Sequence, residues 1–493
     1  MDNLKESVVE KIVQNCFTLY DSLPKNGKPI DKEWTVLSCF IEYNIATEKI
    51  EVVSLGTGSK CVGASKMTPN GSILNDSHAE IFARRGFLLY LYENIDKALK
   101  DKQSIFNKEN SQLKLKDNIQ YIFYSSQLPC GDASIISQNG DGEHYGDVLT
   151  NQKRGALDDV SEIEFKRQKV EDYINKTGAK CLPQCEQDLK EPGTNIQLVL
   201  GQVRTKPGRG DRTLSVSCSD KIAKWIHLGV QGSLLSMLCE PIYIKHFIFG
   251  GGVPFSSQSL QRALLSRSDS PLTLDVIPEF YQSSSVFTSI SSDDNIKPAP
   301  GSIVWTKSFS QRPEVAVQGR KLGVTVKKAT SPACSLCISK YNLYKKFLHI
   351  LNTNEDLKQR ICSEDKIEII PYNKMKRKSI IYYEKWLDIK EKFFKTWTVK
   401  PDMVLFHQRC AMLRCCGYVW LPHIIFISTR SLALKETGST KICFLYEKCV
   451  LWMVSLLTVQ CMLELRIFLV QLLCSGTFSQ HILLAPLSVE TVT

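Results

Sequence analysis

The stretch Leu74-Asn75-Asp76-Ser77-His78-Ala79-Glu80 decides how this chain is read. Asp76 and Ser77 are residue types that start helices, so a helix is expected from His78 to Tyr92. His78 and Glu80, two apart at that start, can face one site: an imidazole suited to a metal, and a carboxylate beside a metal-bound water. A second segment, Pro129-Cys130-Gly131-Asp132, follows an apolar β-rich run at residues 119–125 and forms a turn able to open a helix. A third, Ser217-Cys218-Ser219-Asp220-Lys221, precedes a helix expected over residues 220–228. A cysteine at a helix N-terminus feels the positive end of the dipole, which favours the thiolate a metal needs.

His78, Cys130 and Cys218 together supply one neutral nitrogen and two thiolates. A fourth tetrahedral position is left for water, the mark of a catalytic rather than structural zinc site. Zinc lowers the pKa of bound water to about 7. Glu80 then accepts the water proton and returns it to a ring nitrogen and a departing amine. This His/Cys/Cys-plus-Glu set is the logic of nucleobase deaminases. The common short form is Pro-Cys-x-x-Cys, but Ala133 stands at its second cysteine. The second thiolate therefore comes from far along the chain, and the choice of Cys218 rests on the resemblance given below.

Outward from these segments, the pattern is α/β. Residues 4–20 carry Val8, Ile12, Val13, Cys16 and Leu19 at helical spacing. Residues 36–41 and 50–55 read as a strand hairpin, and residues 56–61 as a tight loop. Strands are expected at 197–203 and 242–249, and helices at 341–351 and 380–397. Residues 266–300, rich in Ser, Asp and Pro, read as loop. The parsing is an N-terminal helix within 1–30, one domain over 31–407 with a variable insertion at 137–176, and an apolar tail at 408–493. That tail holds seven of the 18 cysteines. Its longest uncharged run, 449–463, is short for a membrane span.

The 493 residues carry a net charge of +11. Residues 320–400 alone hold 19 Lys/Arg against 8 Asp/Glu, so the rest sums to about zero. Such an excess faces nucleic acid or surrounds something strongly anionic. No N-terminal apolar stretch resembles a signal peptide, so reduced thiols in cytoplasm or nucleus are expected. Cys334-x-x-Cys337 and Cys181-x-x-x-Cys185 lack an obvious second pair and read as free thiols.

Residues 34–400 resemble the adenosine deaminases acting on RNA. The likeness is carried by the segments quoted above together with Arg84-Arg85, Ala133-Ser134, Lys206-Pro207-Gly208-Arg209-Gly210-Asp211-Arg212-Thr213, Trp225, Gln231-Gly232 and Glu240-Pro241-Ile242-Tyr243. It implies a cytidine-deaminase-like α/β fold, a mixed sheet flanked by helices with the zinc at helix N-termini. It also implies a helical C-terminal part enclosing inositol hexakisphosphate, which would account for the basic excess. The motif match gives Asn75, Arg84, Arg85, Lys221, Lys224, Ser233, Arg320, Tyr372, Lys376, Tyr382, Trp397 and Lys400 as its ligands. Lys224 stands where relatives often have Arg. Asp76, with Lys221, would link the zinc site to the polyphosphate.

Ser134 stands where members that edit duplex messenger RNA typically carry Arg, which points to tRNA. The resemblance then implies the adenosine 3′ of the anticodon (position 37) of alanine tRNA, converted to inosine with release of ammonia. Ser59 and Lys60 match a loop that approaches the flipped nucleotide, and Lys206 and Arg209 are candidate phosphate contacts. The alternatives are an inactive RNA-binding homologue, a deaminase of other structured RNA, or a cytidine deaminase. All four site residues are present, which argues against the first. The long gap from Cys130 to Cys218 argues against the last. Relatives typically end soon after a Trp-x-x-Lys-Pro stretch, matched here at 397–401, so the apolar tail is atypical.

Overall fold

The computed structural model describes residues 4–400, apart from 110–111, 138–172, 191–195, 209–210, 268–271, 291–295, 309–311, 329, 363–366 and 368–369. The 408–493 tail, Arg209 and nearly all of the expected insertion lie outside the described residues.

Eight strands form one mixed sheet: β1 (Leu37–Asn44), β2 (Lys49–Thr57), β3 (Ile119–Ser125), β4 (Ile244–Phe249), β5 (Glu279–Gln282), β6 (Gly301–Thr306), β7 (Glu314–Val317) and β8 (Arg320–Lys321). Their spatial order is β5-β4-β3-β1-β2-β6-β7-β8. The β3, β4 and β5 strands run parallel, and every other neighbouring pair is antiparallel.

Alternation along the strands sends side chains to two faces, each with its own core. Phe40, Tyr121, Phe123, Phe247 and Phe249 point to one face, and Leu37, Cys39, Ile41, Ile122, Tyr124 and Ile248 to the other. The first face packs on α2 (Ala79–Leu99) and α3 (Cys218–Leu228). There Phe40 stacks on Phe87 at 4.6 Å and meets Trp225 at 6.3 Å. Truncating a fully buried aromatic such as Phe40 costs about 3–5 kcal/mol. The second face is closed by α1 (Glu6–Ser22), whose Val9, Ile12, Val13, Cys16 and Tyr20 are buried. Its Phe17 packs edge-on against Tyr124 at 6.1 Å.

The C-terminal region adds α4 (Ser257–Leu264), α5 (Lys340–Asn352), α6 (Tyr372–Arg377) and α7 (Ile380–Ile389). The mixed α/β class and the hairpin of β1 and β2 are as the sequence suggested, but several local expectations need correction. The expected loop at 56–61 is the end of β2, a break at Gly58 (φ 126°), and a short strand, Ser59–Cys61. That strand pairs antiparallel with Asp76–His78. The loop-like 266–300 region contains β5, which extends the parallel edge of the sheet. Of the strand expected at 197–203 only Ile196–Gln197 forms. The last helix stops at Ile389, continues as one wide turn at Lys390–Phe394, and ends at Lys395 with φ 57°.

Candidate active site

Three elements deliver the three candidate ligands. His78 is the residue before α2, and Asp76 fixes its backbone by accepting from His78 N at 3.1 Å. Cys218 opens α3, where Ser217 caps the helix by accepting from Asp220 N. Cys130 opens no α-helix, contrary to expectation. It is followed by a single 3-10 turn, Asp132–Ser134, tied back by Ser134 Oγ to Pro129 O at 2.7 Å.

The two cysteine loops are zipped together directly. Cys218 N donates to Cys130 Sγ at 3.3 Å, and Ser219 donates to Cys130 O through its N at 3.0 Å and its Oγ at 3.1 Å. The approach is close enough to demand glycine between them. Gly131 sits at φ 109°, and a Cβ there would lie 2.2 Å from Ser217 Oγ.

The result is a compact ligand triangle. His78 Nδ1 lies 3.8 Å from Cys130 Sγ and 3.6 Å from Cys218 Sγ, and all three ligand atoms lie within 4.8 Å of one another. A tetrahedral zinc with Zn–S of about 2.3 Å and Zn–N of about 2.0 Å has N···S edges of about 3.5 Å and an S···S edge of about 3.8 Å. The donor set and its spacing fit the ion. Glu80, on the first turn of α2, is buried, and its Oε2 has no partner. Burial raises its pKa against the pull of His78 and Lys206, so the carboxyl is disposed to carry a proton.

Lys206 is the main correction at the site. The sequence suggests a phosphate contact on a surface loop, yet its side chain is fully buried. Its Nζ donates to both oxygens of Asp76, at 3.0 and 2.8 Å, and to Cys218 Sγ at 2.9 Å. Burial opposes the charge, but Asp76 and both cysteines outweigh it and hold the ammonium protonated. Asp76 also accepts from Lys221. Burial of Asp76 is outweighed by Lys206 and Lys221, which keep it well below the usual carboxylate range.

Beyond Lys221 the structure gathers a group of buried cations. Arg84 donates to Val230 O at 2.9 Å and lies over Trp225, while Arg85 donates to Ile338 O at 2.6 Å and leaves its Nη2 unpartnered. Lys224 sits 3.2 Å from the Trp386 ring centroid and 5.5 Å from that of Trp397. Lys376 lies 5.6 Å from the Tyr372 ring, and its carbonyl accepts from Ser233 Oγ. Tyr382, its own pKa pushed up to about 12 by burial, is close enough to act on Arg84. Asn75 contributes a buried Oδ1 without a partner.

Burial and mutual repulsion lower the basicity of Arg84 and Lys224, take Arg85 to about 10, and take Lys400 to about 8. A further member, Lys340 at the start of α5, was not singled out from the sequence. It lies 5.4 Å from the Tyr372 ring, and its pKa is driven to about 7 by burial and by Lys400, Arg85 and Lys376. Its only sequence signal is a lysine one residue past the helix cap Ser339, which any exposed helix shares. Arg320 lies on β8 opposite Val317, and none of the described contacts joins it to this group. A cradle of crowded, desolvated cations with unpartnered Asn75 and Arg85 atoms fits a polyanion. Ser59 and Lys60 pair with His78 and Ser77 across the short ribbon, beside the ligand triangle.

A model of the adenosine-deaminase (editase) domain matches residues 54–401. The chain is 36% identical over 412 residues to tRNA-specific adenosine deaminase 1 of Drosophila melanogaster, which spans 81% of this chain and 97% of that protein. Identity to the protein of the same name in Homo sapiens is 30% over 498 residues, spanning 80% and 98%. A double-stranded RNA-specific editase, Adar of Drosophila melanogaster, is 31% identical across 57% of this chain but only 39% of its own length. A domain match over most of the chain, centred on the segments that build the ligand triangle, places this protein in the adenosine-deaminase (editase) family, as a hydrolase that deaminates adenosine.

Proposed function

We propose that the chain converts adenosine to inosine in tRNA, at position 37, 3′ of the anticodon of alanine tRNA, with water consumed and ammonia released. The observation that carries the reading is the convergence of His78 Nδ1, Cys130 Sγ and Cys218 Sγ beside the buried carboxyl of Glu80. A tRNA substrate is supported by likeness along nearly the full length of relatives named for tRNA. Buried Ser134 supports it further.

His78, Cys130 and Cys218 would hold zinc, which when bound supplies the Lewis acidity that makes water nucleophilic at neutral pH. Glu80 takes a proton from the attacking water and delivers it to the purine ring nitrogen, then assists the departing amine. Lys206 keeps Cys218 anionic by standing 2.9 Å from its sulfur. Ser59 and Lys60 border the opening that the flipped base enters; a loop nucleotide is already partly unstacked, which lowers the cost of flipping.

Asn75, Arg84, Arg85, Lys221, Lys224, Ser233, Tyr372, Lys376, Tyr382, Trp397 and Lys400, joined by Lys340, would enclose inositol hexakisphosphate. That group would neutralise cations that otherwise repel one another. The setting is cytoplasm or nucleus. The test is deamination of alanine tRNA by wild type and Glu80→Ala. Positioned proton transfer contributes about 10²–10⁴-fold, so the variant should lose that much rate while retaining zinc. Equal inosine yield from both would remove Glu80 from the reaction.

A further inference from the structure

Both cysteine segments carry an aspartate two residues on, Cys130-Gly131-Asp132 and Cys218-Ser219-Asp220, and both aspartates are fully buried. Neither is a ligand and neither faces the reaction. Each is held by an arginine from one short stretch of chain. Arg262, on α4, approaches Asp132 Oδ2 through its Nε at 3.3 Å and donates from Nη2 to Asp132 O and Ile135 O, both at 2.9 Å. Arg267, just past α4, donates from Nη1 to Asp220 Oδ1 at 2.5 Å and is anchored by its Nε to Ala263 O at 2.8 Å.

The remaining carboxylate oxygens bind backbone that frames the same loops. Asp132 Oδ1 accepts from Gly201 N at 2.8 Å, and Asp220 Oδ2 accepts from Arg204 N at 3.1 Å and Ser217 Oγ at 2.6 Å. Ser259 of α4 adds a bond from its Oγ to Ile135 O. Both arginines are nearly inaccessible, at 6% and 4% exposure. Burying two arginine–aspartate pairs is a poor route to stability, because desolvation offsets most of the attraction. Their placement, one behind each thiol, gives them another role.

We propose that Arg262 and Arg267 are paired positioning residues that set the separation and direction of the Cys130 and Cys218 sulfurs, making α4 the frame of the metal site. The inference rests on the zinc reading above. Partners one shell behind a ligand typically change metal affinity about 10–100-fold when altered.

The test uses the full chain with Arg262→Lys and Arg267→Lys, which keep the charge but lose the forked contacts, and Tyr90→Phe as a control. Tyr90 donates to Glu42 at 2.7 Å on the far end of α2, so its loss loosens the fold without touching the cysteine loops. Zinc affinity is read by competition with a chelator, and ligand geometry by the thiolate-to-metal charge-transfer band after cobalt(II) substitution. The expected result is zinc binding weakened about tenfold or more, with a shifted cobalt band, in both lysine variants and in neither respect in Tyr90→Phe. Wild-type affinity and band in the lysine variants overturn the proposal, as does an equal loss in the control. Should a lysine variant fail to fold, Asp132→Asn and Asp220→Asn, nearly the same shape, carry the same comparison with the same criteria. A wild type without the cobalt band overturns the zinc reading itself, a different result from wild-type binding that the variants leave unchanged.

Discussion

Replacing Lys340 by methionine should raise stability without a polyanion and lower affinity with one. Methionine has a similar length and no charge. In the fold, Lys340 is forced from 10.5 to about 7 by burial and by Lys400, Arg85 and Lys376. Each tenfold change in proton affinity is worth about 1.4 kcal/mol, so the charged form is disfavoured by about 5 kcal/mol at most. The sign follows from proton linkage. Between pH 7 and 10.5 the unfolded chain binds the proton more tightly, so folding stability contributed by this site is full above 10.5 and lost as pH falls toward 7. Polyanion-free wild type should therefore melt at a lower temperature at pH 7 than at pH 9, and Lys340→Met should flatten that slope. With inositol hexakisphosphate present the ammonium gains a charged partner, a bond worth about 1.5–3 kcal/mol, so the variant should bind it roughly 10- to 100-fold more weakly. The assay is refolding at both pH values with and without the polyphosphate, followed by thermal melting and binding calorimetry. A variant that is less stable than wild type at pH 7 without the ligand, and equal to it in affinity, would refute the reasoning.

Two other substitutions or truncations probe separate parts of the account. Gly131→Ala places a Cβ 2.2 Å from Ser217 Oγ at a positive φ, so it should separate the two cysteine loops and reduce both zinc content and melting temperature; a normal zinc content would show that the loops need no such approach. Removing residues 407–493 should leave zinc binding and deamination intact, checked by metal analysis and inosine formation, since every candidate site residue precedes position 401. Loss of folding on that truncation would show that the core depends on the tail.

The parts of this protein that could be read from sequence are those in which local pattern and final environment agree. The apolar runs of β1, β2 and β3 alternate between two buried faces, and α2 and α3 begin where residues suited to capping precede apolar periodicity. His78, Cys130, Cys218 and Glu80 stood out because their residue types are chemically costly to leave unexplained together. What stayed hidden depends on partners distant in sequence. The β5 strand is four residues in a polar region and is defined by its pairing with β4. Lys206 and Lys340 look like solvated lysines, and only the assembled fold shows that Asp76 holds one and a crowd of cations surrounds the other. The aspartates at 132 and 220 were visible as motif letters, but their arginines lie some 40 to 130 residues away and carry no local mark.

X-ray absorption at the zinc edge tests the central claim most directly. The account predicts one zinc per chain with two sulfur neighbours at about 2.3 Å and nitrogen or oxygen neighbours at about 2.0 Å, falling to one sulfur in Cys218→Ser. A shell without sulfur, a shell of four sulfurs, or a spectrum unchanged by that substitution would contradict it.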